Sequence, residues 1–229
     1  MLDFYEYTPF VAAKNTAEGK FVFQDGYGDM PLNDLFFLHH LVNLKKKKGM
    51  VAYEIGAWTG MSTCCIGRIV KECEGTLTTI DNFRGSNEKQ EQVLSSVDVR
   101  MILEKNLKRF GVDDVVTILN RSSEKCDDIP DESVDFLFID GDHRYTQFKK
   151  DVQNWYPKIK KGGTISGHDC TGPSWKEEYV EKDAEIFKDK TAIHHGVNKV
   201  LVEEFGDKVG LFFSKEKKLF SSIWVVEKD

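Results

Sequence analysis

A glycine-rich turn after an apolar run is the first feature of this sequence that could bind a ligand. Gly56 and Gly60 follow the run that begins at Val51, and a helical pattern opens at Ser62. Glycine allows backbone torsions and a close ligand approach that a Cβ atom would block. The turn differs from the dinucleotide fingerprint GxGxxG, because Glu54 stands two positions before Gly56. A glutamate there is unfavourable beside a pyrophosphate but suits a ligand that carries an ammonium group.

Asp81 is a second candidate binding residue, at the end of the next apolar run. An acidic residue at the end of the second strand can accept hydrogen bonds from ribose hydroxyls. The glycine-rich turn and Asp81 are each weak signals alone. They become informative when the elements around them form a nucleotide-binding sheet.

The elements that would position these residues alternate along the chain from about residue 51. Short, nearly continuous apolar or β-branched runs alternate with longer helical patterns, which is typical of a parallel sheet covered by helices on both faces. The predicted strands are 51–56, 76–81, 115–120, 134–140 and 163–167, and the predicted helices are 62–72, roughly 92–110, and 145–159. After a predicted helix at 197–205, the strands 209–214 and 221–227 follow each other across the charged turn 215–218 and must pair antiparallel.

Two segments lie outside this alternation. Residues 1–48 form a predicted N-terminal helical cap, in which the amphipathic helix 33–46 carries Leu35, Leu38, Leu41 and Val42 on one face. The main domain covers 49–229, with an insertion at about 171–191 that contains Trp175, Tyr179 and Phe187. Both segments could cap a site at the carboxyl ends of the strands, and we expect Trp175 to have either a substrate-contacting or a structural role.

Composition excludes several function classes. With 40% hydrophobic and 31% charged residues, the 229-residue chain is typical of a globular protein, and its net charge of -6 argues against a broad nucleic-acid-binding surface. The basic run 45–48 is interpreted as a solvated helix end. Five cysteines without a CxxC pair favour reduced thiols, and no signal peptide or membrane-spanning run is found. We therefore expect a cytoplasmic protein that does not bind membranes.

Residues 51–170 resemble class I S-adenosylmethionine-dependent methyltransferases, in which a five-stranded α/β core is closed by a C-terminal hairpin. Within this family, the chain is most similar to the small macrocin-type O-methyltransferases of sugars and macrolides, and more distantly to the catechol type. The motifs that carry the likeness are Phe136-Leu-Phe-Ile-Asp140-Gly-Asp142-His143-Arg-Tyr145, Asp151, Trp155, Gly162-Gly163, Gly167-His168-Asp169, His195-Gly196-Val197 and Ser222-Ile223-Trp224. The resemblance implies a Rossmann-like, seven-stranded mixed sheet in the order 3-2-1-4-5-7-6 with helices on both faces.

The resemblance also implies which residues bind the cofactor S-adenosyl-L-methionine. The methionine part would be framed by the glycine-rich turn, the ribose would be held by Asp81, and the adenine would lie near the end of the third strand. The residues assigned to the cofactor in this way are Glu54, Gly56, Gly60, Ser62, Asp81, Ser122, Ser123 and Asp140.

For the chemistry, the resemblance makes His143 the general base and makes Asp140 and Asp169 ligands of Mg²⁺. These residue types suit O-methylation, because an alcohol is a poor nucleophile until its proton leaves and histidine accepts protons near neutral pH. A divalent cation between two carboxylates and the hydroxyl would lower the pKa of that hydroxyl further. Both aspartates are predicted at the carboxyl ends of strands, where they can converge.

The chain departs from the catechol-type pattern at the third metal ligand. Cys170 stands where those enzymes have an amide or a carboxylate, and a soft thiolate is a poor ligand for Mg²⁺. Asp142 or a water could replace it. Without a metal, Asp140 would orient His143 or the substrate.

Several histidines and one aspartate have structural alternatives. His143 could cap the helix that starts at Tyr145, His168 is either a rival base or a structural residue, and Asp142 is interpreted as a helix N-cap rather than a ligand. The pair 39–40 is interpreted as surface or packing histidines, and the pair 194–195 as loop residues that could instead contact substrate.

The sequence therefore predicts O-methylation of a small hydroxylated acceptor, such as a sugar, a polyketide or a phenol. The alternatives are an N-methyltransferase of a small amine, a nucleotide-binding protein of the NAD type, and a non-catalytic protein that retains the fold. The expected partners are a small-molecule substrate and, through the cap, a second copy of the chain in a homodimer, but no nucleic acid.

Overall fold

The computed structural model describes residues 10–15, 21–26, 30–85, 97–182, 194–214 and 219–229. In chain order, the elements are β1 (Phe10–Asn15), β2 (Phe21–Gly26), α1 (Leu32–Lys45), β3 (Val51–Ile55), α2 (Met61–Glu72), β4 (Thr76–Asp81), α3 (Val99–Arg109), β5 (Val116–Asn120), β6 (Val134–Ile139), α4 (Tyr145–Trp155), β7 (Ile159–Gly167), α5 (His195–Phe205), β8 (Gly210–Ser214) and β9 (Leu219–Glu227). Short 3₁₀ turns lie at Tyr156–Lys158, Glu177–Tyr179 and Gly206–Lys208.

A seven-stranded sheet in the order β5-β4-β3-β6-β7-β9-β8 forms the centre of the fold. The strands β5, β4, β3, β6 and β7 pair in parallel, whereas β9 is antiparallel to both β7 and β8. Numbered within the sheet, this order is 3-2-1-4-5-7-6, so the predicted topology is confirmed. Because the carboxyl ends of the five parallel strands lie at one edge, the loops that follow them can form a common site.

Apolar side chains bury both faces of the sheet. All six residues of β6 are buried, as expected for a central strand with helices on both sides. One apolar cluster joins the sheet to α1, α2 and α3, and a second joins it to α4 and α5. None of the five cysteines, all of which lie in described residues, forms a disulfide.

The N-terminal segment differs from the predicted helical cap. Residues 10–15 and 21–26 form an antiparallel pair of strands, so the segment 1–48 is not wholly helical. The amphipathic helix is present as α1, and its four predicted apolar residues are all buried. This helix packs against α2 and β9 and belongs to the main apolar cluster.

The helix predicted at 145–159 ends earlier and the following strand starts earlier than expected. Helix α4 stops at Trp155 and is followed by a 3₁₀ turn that contains Pro157, which lacks the N–H group that would continue an α-helix. Strand β7 then begins at Ile159, four residues before its predicted start, with a register irregularity opposite Val134 and Phe136. The glycines at 162 and 163 thus lie within the strand and do not end a helix.

Other predicted elements can be compared only in part. Helix α3 covers the second half of the helix predicted at 92–110, and residues 86–96 lie outside the described part of the chain. Of the insertion 171–191, the structure describes residues up to 182, and the predicted turn 215–218 is also outside. Among the described residues, no helix has the length and apolar composition needed to cross a membrane.

The basic run 45–48 is neutralised by acidic residues. Each of its four lysines forms an ion pair, with Glu227, Glu72, Asp135 and Glu74 as the successive partners. The run therefore follows a helix end as predicted, and its charges are compensated.

Candidate active site

A cavity of about 430 Å³ opens at the carboxyl edge of the parallel strands. It is lined by residues at or just after the ends of β3, β4, β5 and β6, together with residues of α4. Five of the residues assigned to the cofactor line it, namely Gly56, Asp81, Ser122, Ser123 and Asp140. A cavity of this volume is in the range of small-molecule sites.

The two glycines of the turn that follows β3 are required because neighbouring atoms leave no room for a Cβ atom. Gly56 has a φ of +88°, and a Cβ atom there would lie 2.0 Å from the backbone oxygen of Asp140. Gly60 has a φ of +92°, and its Cβ atom would lie 2.4 Å from the Cδ1 atom of Leu103. Of these two glycines only Gly56 lines the cavity, whereas Gly60 is the cap residue before α2 and allows Leu103 of α3 to pack closely.

Glu54 lies beneath this turn and is fully buried. Its carboxyl group accepts hydrogen bonds from Ser62 Oγ at 2.6 Å, Thr63 Oγ1 at 2.5 Å and Thr79 Oγ1 at 2.7 Å. Burial raises the pKa of Glu54 to about 7, although the three hydroxyl groups partly offset this effect. Glu54 and Ser62 therefore connect β3, α2 and β4, and their side chains do not line the cavity.

Asp81 is at the end of β4 and both lines the cavity and holds the turn. Its Oδ2 atom accepts hydrogen bonds from the backbone N–H groups of Ala57 and Trp58, each at 3.0 Å. Its Oδ1 atom accepts from Phe83 N at 2.7 Å. The carboxylate thus fixes the glycine-rich turn from the neighbouring strand, a role that sequence reasoning did not predict.

Asp151 is a buried carboxyl group in the cavity wall to which sequence reasoning gave no role. It accepts hydrogen bonds from Ser123 Oγ at 2.6 Å and Gln147 Nε2 at 3.1 Å. Burial raises its pKa to about 7, despite these two hydrogen bonds. Its position between Phe148 and Val152 on the buried face of α4 was the available signal, because an acid on an apolar face needs a specific partner.

Five residues form a polar cluster around Asp169, namely Asp140, His143, His168, Asp169 and His194. Asp140 also lines the cavity and so connects the two. His143 Nε2 lies 2.9 Å from Asp169 Oδ2 and 3.4 Å from Asp140 Oδ1. His168 Nδ1 lies 3.1 Å from Asp169 Oδ1, and His194 Nε2 lies 3.5 Å from the same oxygen. All three predicted catalytic residues and both predicted metal ligands are therefore brought together.

Asp169 lies at the centre of this cluster. Its backbone has a left-handed conformation with a φ of 66°, which is uncommon outside glycine and occurs at strained functional sites. Burial alone would raise the pKa of Asp169, but the charges and hydrogen bonds of His168 and His143 hold it well below the ordinary value. Asp169 is thus an ionised carboxylate held between imidazole rings.

His168 is held between carboxylates on both sides of its ring. Its Nε2 atom lies 3.0 Å from Asp34 Oδ2, and Asp34 in turn accepts hydrogen bonds from Ser222 N at 3.0 Å and Ser222 Oγ at 3.2 Å. Burial alone would lower the pKa of His168, but Asp169, Asp140 and Asp34 raise it well above the ordinary value. Asp34 belongs to α1, far away in sequence, and no local pattern could have revealed this contact.

The remaining candidate histidines are divided between the site and its surroundings. His194 joins the polar cluster, with its ring centroid 4.5 Å from that of His143. His195 accepts a hydrogen bond from Lys176 N at 3.0 Å and stacks on Tyr179, which is a packing role. On α1, His39 is half-buried and His40 is exposed.

Three other candidates lie apart from the polar cluster. Asp142 lines the cavity, and its Oδ1 atom accepts from Arg144 N at 3.0 Å. Since α4 has Arg144 as its cap residue, the N-cap interpretation of Asp142 is wrong. Burial raises the pKa of the Cys170 thiol, and its backbone N–H donates to Ser222 O. Trp175 is half-buried, with Nε1 3.3 Å from Glu177 Oε2, and it does not line the cavity.

The donor set of the polar cluster does not fit the predicted Mg²⁺ site. Two groups of three residues have potential ligand atoms within 4.8 Å of one another, His143 with Asp169 and His194, and Asp140 with His168 and Asp169. Each group contains imidazole nitrogen, whereas Mg²⁺ prefers a shell of oxygen ligands. The two predicted aspartates do lie together, but the third donor beside them is a histidine.

A family profile described as a methyltransferase domain matches residues 53–170, which is just over half of the chain. The matched region begins in β3, ends after β7, and includes the glycine-rich turn, Asp81, Asp140 and Asp169.

The curated relatives match this chain either at low identity or over a short segment. An uncharacterized protein of Acanthamoeba polyphaga mimivirus is 23% identical over 174 residues, which covers 75% of this chain and 75% of that protein. An uncharacterized protein of Sinorhizobium fredii is 45% identical over 47 residues, which covers 20% of this chain and 5% of that protein. The match in the second case is thus a small part of a much longer protein.

Solved structures share the fold at low sequence identity. The SAH-bound methyltransferase PaMTH1 of Podospora anserina is 13% identical, with a TM-score of 0.55 and coverage of 85% of this chain and 77% of that chain. A SAM-dependent O-methyltransferase of Thermotoga maritima is 16% identical, with a TM-score of 0.52 and coverage of 86% of this chain and 65% of that chain.

Proposed function

Because the chain belongs to the methyltransferase-domain family, we propose that it is an S-adenosylmethionine-dependent enzyme that methylates a hydroxyl group of a small molecule. The observation that carries the proposal is the position of Asp140, which lines the cavity and also contacts His143 and His168 in the polar cluster. A cofactor site and an acid–base group therefore share one residue. Such an arrangement suits a transfer between two bound molecules.

The residues of the cavity fit the cofactor. Asp81 lies at the end of the second strand of the sheet, where an acidic residue can hold ribose hydroxyls, and Ser122 and Ser123 lie after the third strand. Gly56 exposes backbone to the same cavity. When bound there, S-adenosylmethionine supplies an electrophilic methyl group on a sulfonium sulfur.

His143 is the residue best placed to accept the proton of an acceptor hydroxyl. Its Nε2 atom faces the carboxylates of Asp169 and Asp140, which orient the ring and stabilise its charged form once it holds a proton. The rival base His168 is less suitable, because both of its ring nitrogens are already engaged by carboxylates, Nε2 at 3.0 Å from Asp34 and Nδ1 at 3.1 Å from Asp169. An amine acceptor would need less help from a base, so this arrangement favours a hydroxyl.

The acceptor class rests on the chemistry of the polar cluster and not on the volume of the cavity, which is assigned to the cofactor. A sugar, a polyketide and a phenol each carry a hydroxyl group from which His143 can take a proton. Magnesium has no part in the proposed chemistry, since Asp140 and Asp169 have an imidazole beside them and the thiol of Cys170 is buried.

A cavity-filling substitution tests the cofactor site. Ser122 lines the cavity, so Ser122→Phe should abolish S-adenosylhomocysteine binding in titration calorimetry. Thr117→Phe on β5, the strand that precedes Ser122, is the matched control, because Thr117 is exposed and does not line the cavity. Equal affinity in wild type and Ser122→Phe, with Thr117→Phe unchanged, would reject the assignment of this cavity.

A methyl-transfer assay then tests the acceptor class. Wild type should transfer label from S-adenosylmethionine to hydroxylated compounds in a panel of sugars, polyketides and phenols, and not to the matched amines. Transfer to amines alone would reject O-methylation while leaving cofactor binding intact.

A further inference from the structure

Three polar side chains of the cavity wall contact one another just after the end of β5. Asp151 on α4 is buried, and its Oδ1 atom accepts hydrogen bonds from Ser123 Oγ at 2.6 Å and from Gln147 Nε2 at 3.1 Å. All three residues line the cavity. A buried carboxyl group that belongs to a ligand cavity and holds a neighbouring hydroxyl can control what that hydroxyl offers to the ligand.

The carboxylate of Asp151 fixes the direction of the hydrogen bond that it shares with Ser123. An ionised carboxylate can only accept, so the single hydroxyl hydrogen of Ser123 is held by Asp151. The Ser123 oxygen can then offer only its lone pairs to a ligand. Burial raises the pKa of Asp151 to about 7, so the carboxyl group is mostly ionised at pH 8. Under those conditions, Ser123 is an acceptor toward the cavity and not a donor.

The order of the strands indicates which part of the cofactor meets Ser123. Along the sheet the strands follow each other as β5, β4, β3 and β6, and the candidate base His143 contacts Asp140 after β6. The sulfonium methyl group must face that end, because the acceptor loses its proton there, and the ribose is assigned to Asp81 after β4. The purine, on the other side of the ribose, then extends toward the end of β5. Position 6 of the purine is remote from the ribose and therefore reaches Ser123.

We propose that Asp151 is a positioning residue that makes the cavity select a purine with an amino group at position 6, by holding the Ser123 hydroxyl as an acceptor. Adenine carries an N–H donor at this position, whereas hypoxanthine carries a carbonyl oxygen that would face the lone pairs of Ser123. A site built to pair with one polar group rejects the analogue that leaves its own group unpaired. The inference rests on the proposed function, because it requires S-adenosylmethionine in this cavity.

The test compares S-adenosylhomocysteine with its 6-oxo analogue S-inosylhomocysteine, by titration calorimetry of the whole protein at pH 8. Wild type should bind S-adenosylhomocysteine roughly 10- to 100-fold more tightly, which is the effect of one unmatched hydrogen-bonding group. In Asp151→Leu the Ser123 hydroxyl can rotate and donate, so the ratio of the two affinities should fall to about 3-fold or less. Asp151→Asn, whose amide can donate to Ser123, is a second variant of similar shape and should also lower the ratio.

Coupling between the two residues separates a positioning role from a merely structural one. Ser123→Ala should reduce the ratio to about 3-fold or less, and Asp151→Leu should change it no further in the Ser123→Ala background. Structural damage would instead weaken both ligands equally and leave the wild-type ratio. Gln153→Leu introduces the same side chain on the exposed face of α4, outside the cavity lining, and should keep the wild-type ratio.

Three results would overturn the role of Asp151. These are equal affinity of wild type for the two ligands, a wild-type ratio in both Asp151 variants, and a wild-type ratio in Ser123→Ala. Binding of S-adenosylhomocysteine without discrimination would reject this inference alone. Absence of S-adenosylhomocysteine binding to wild type would reject the proposed function together with it.

Discussion

At the scale of single residues, the chemistry of the site depends on how carboxylates and imidazoles are paired. Asp169 contacts His143, His168 and His194, so one carboxylate fixes three rings. The rings are not equivalent, because His168 is also held by Asp34 from the far side of the ring. The Nε2 atom of His143, by contrast, lies near Asp169 and near Asp140, which also lines the cavity, and His143 is therefore the candidate base.

Replacing His143 by alanine should lower the methyl-transfer rate roughly 10²- to 10⁴-fold, which is the usual contribution of a general base. The affinity for S-adenosylhomocysteine should stay within a few-fold of wild type, because His143 does not line the cavity. Single-turnover rates and calorimetry measure the two quantities separately. The acidic limb of the pH–rate profile should also disappear in the variant, and a variant with full turnover would refute the assignment.

At the scale of elements, Glu54 joins β3 to α2 and β4. Its side chain does not line the cavity. In the sequence, Glu54 stands two positions before Gly56 of the glycine-rich turn, and we expected its side chain to face an ammonium group of the ligand. Its carboxyl group instead accepts three hydroxyl donors from α2 and β4. Sequence spacing predicts which strand a residue ends, but the direction of its side chain depends on neighbours that only the fold supplies.

The raised pKa of Glu54 gives the stability of wild type a specific pH dependence. Since the pKa is about 7 in the folded chain and 4.5 ordinarily, the folded state holds this proton more tightly than the unfolded state. Between those values, a rise in pH ionises the unfolded chain first and reduces the free energy of unfolding, by up to roughly 3 kcal/mol. Above about pH 7 this contribution no longer changes.

Glu54→Gln removes this titration, so its stability relative to wild type should increase as the pH rises from about 4.5 to 7. Urea denaturation of both proteins at several pH values measures the difference. Glu104→Gln on α3 is the control, because Glu104 is exposed and should give a nearly constant offset. A difference between wild type and Glu54→Gln that does not vary with pH would contradict the buried, protonated state of Glu54.

At the scale of the whole molecule, the sheet could be predicted from sequence and the polar cluster only in part. The alternation of strands and helices, followed by two consecutive strands, indicated the elements, and the family resemblance implied the order of all seven strands. Asp140, His143 and Asp169 could be found because they follow predicted strands and match a family motif. Asp34 could not, because it reaches the site from α1. For His194, which lies just before α5, the sequence left a loop role and a substrate contact open.

Helix α1 packs against α2 and β9 in the main apolar cluster, so we expect it to unfold together with the sheet. Leu38 on this helix is fully buried in the cluster that includes α2 and the sheet, whereas Leu44 is 64% exposed. Leu38→Ala should lower the free energy of unfolding by about 2 to 5 kcal/mol, because it leaves a cavity in the core. Leu44→Ala makes the same chemical change on the same helix and should alter stability by no more than about 0.5 kcal/mol. Urea denaturation followed by tryptophan fluorescence should show one transition in both variants. A separate early transition in Leu38→Ala would mean that α1 unfolds on its own, and Asp34 would then be carried by an independent cap.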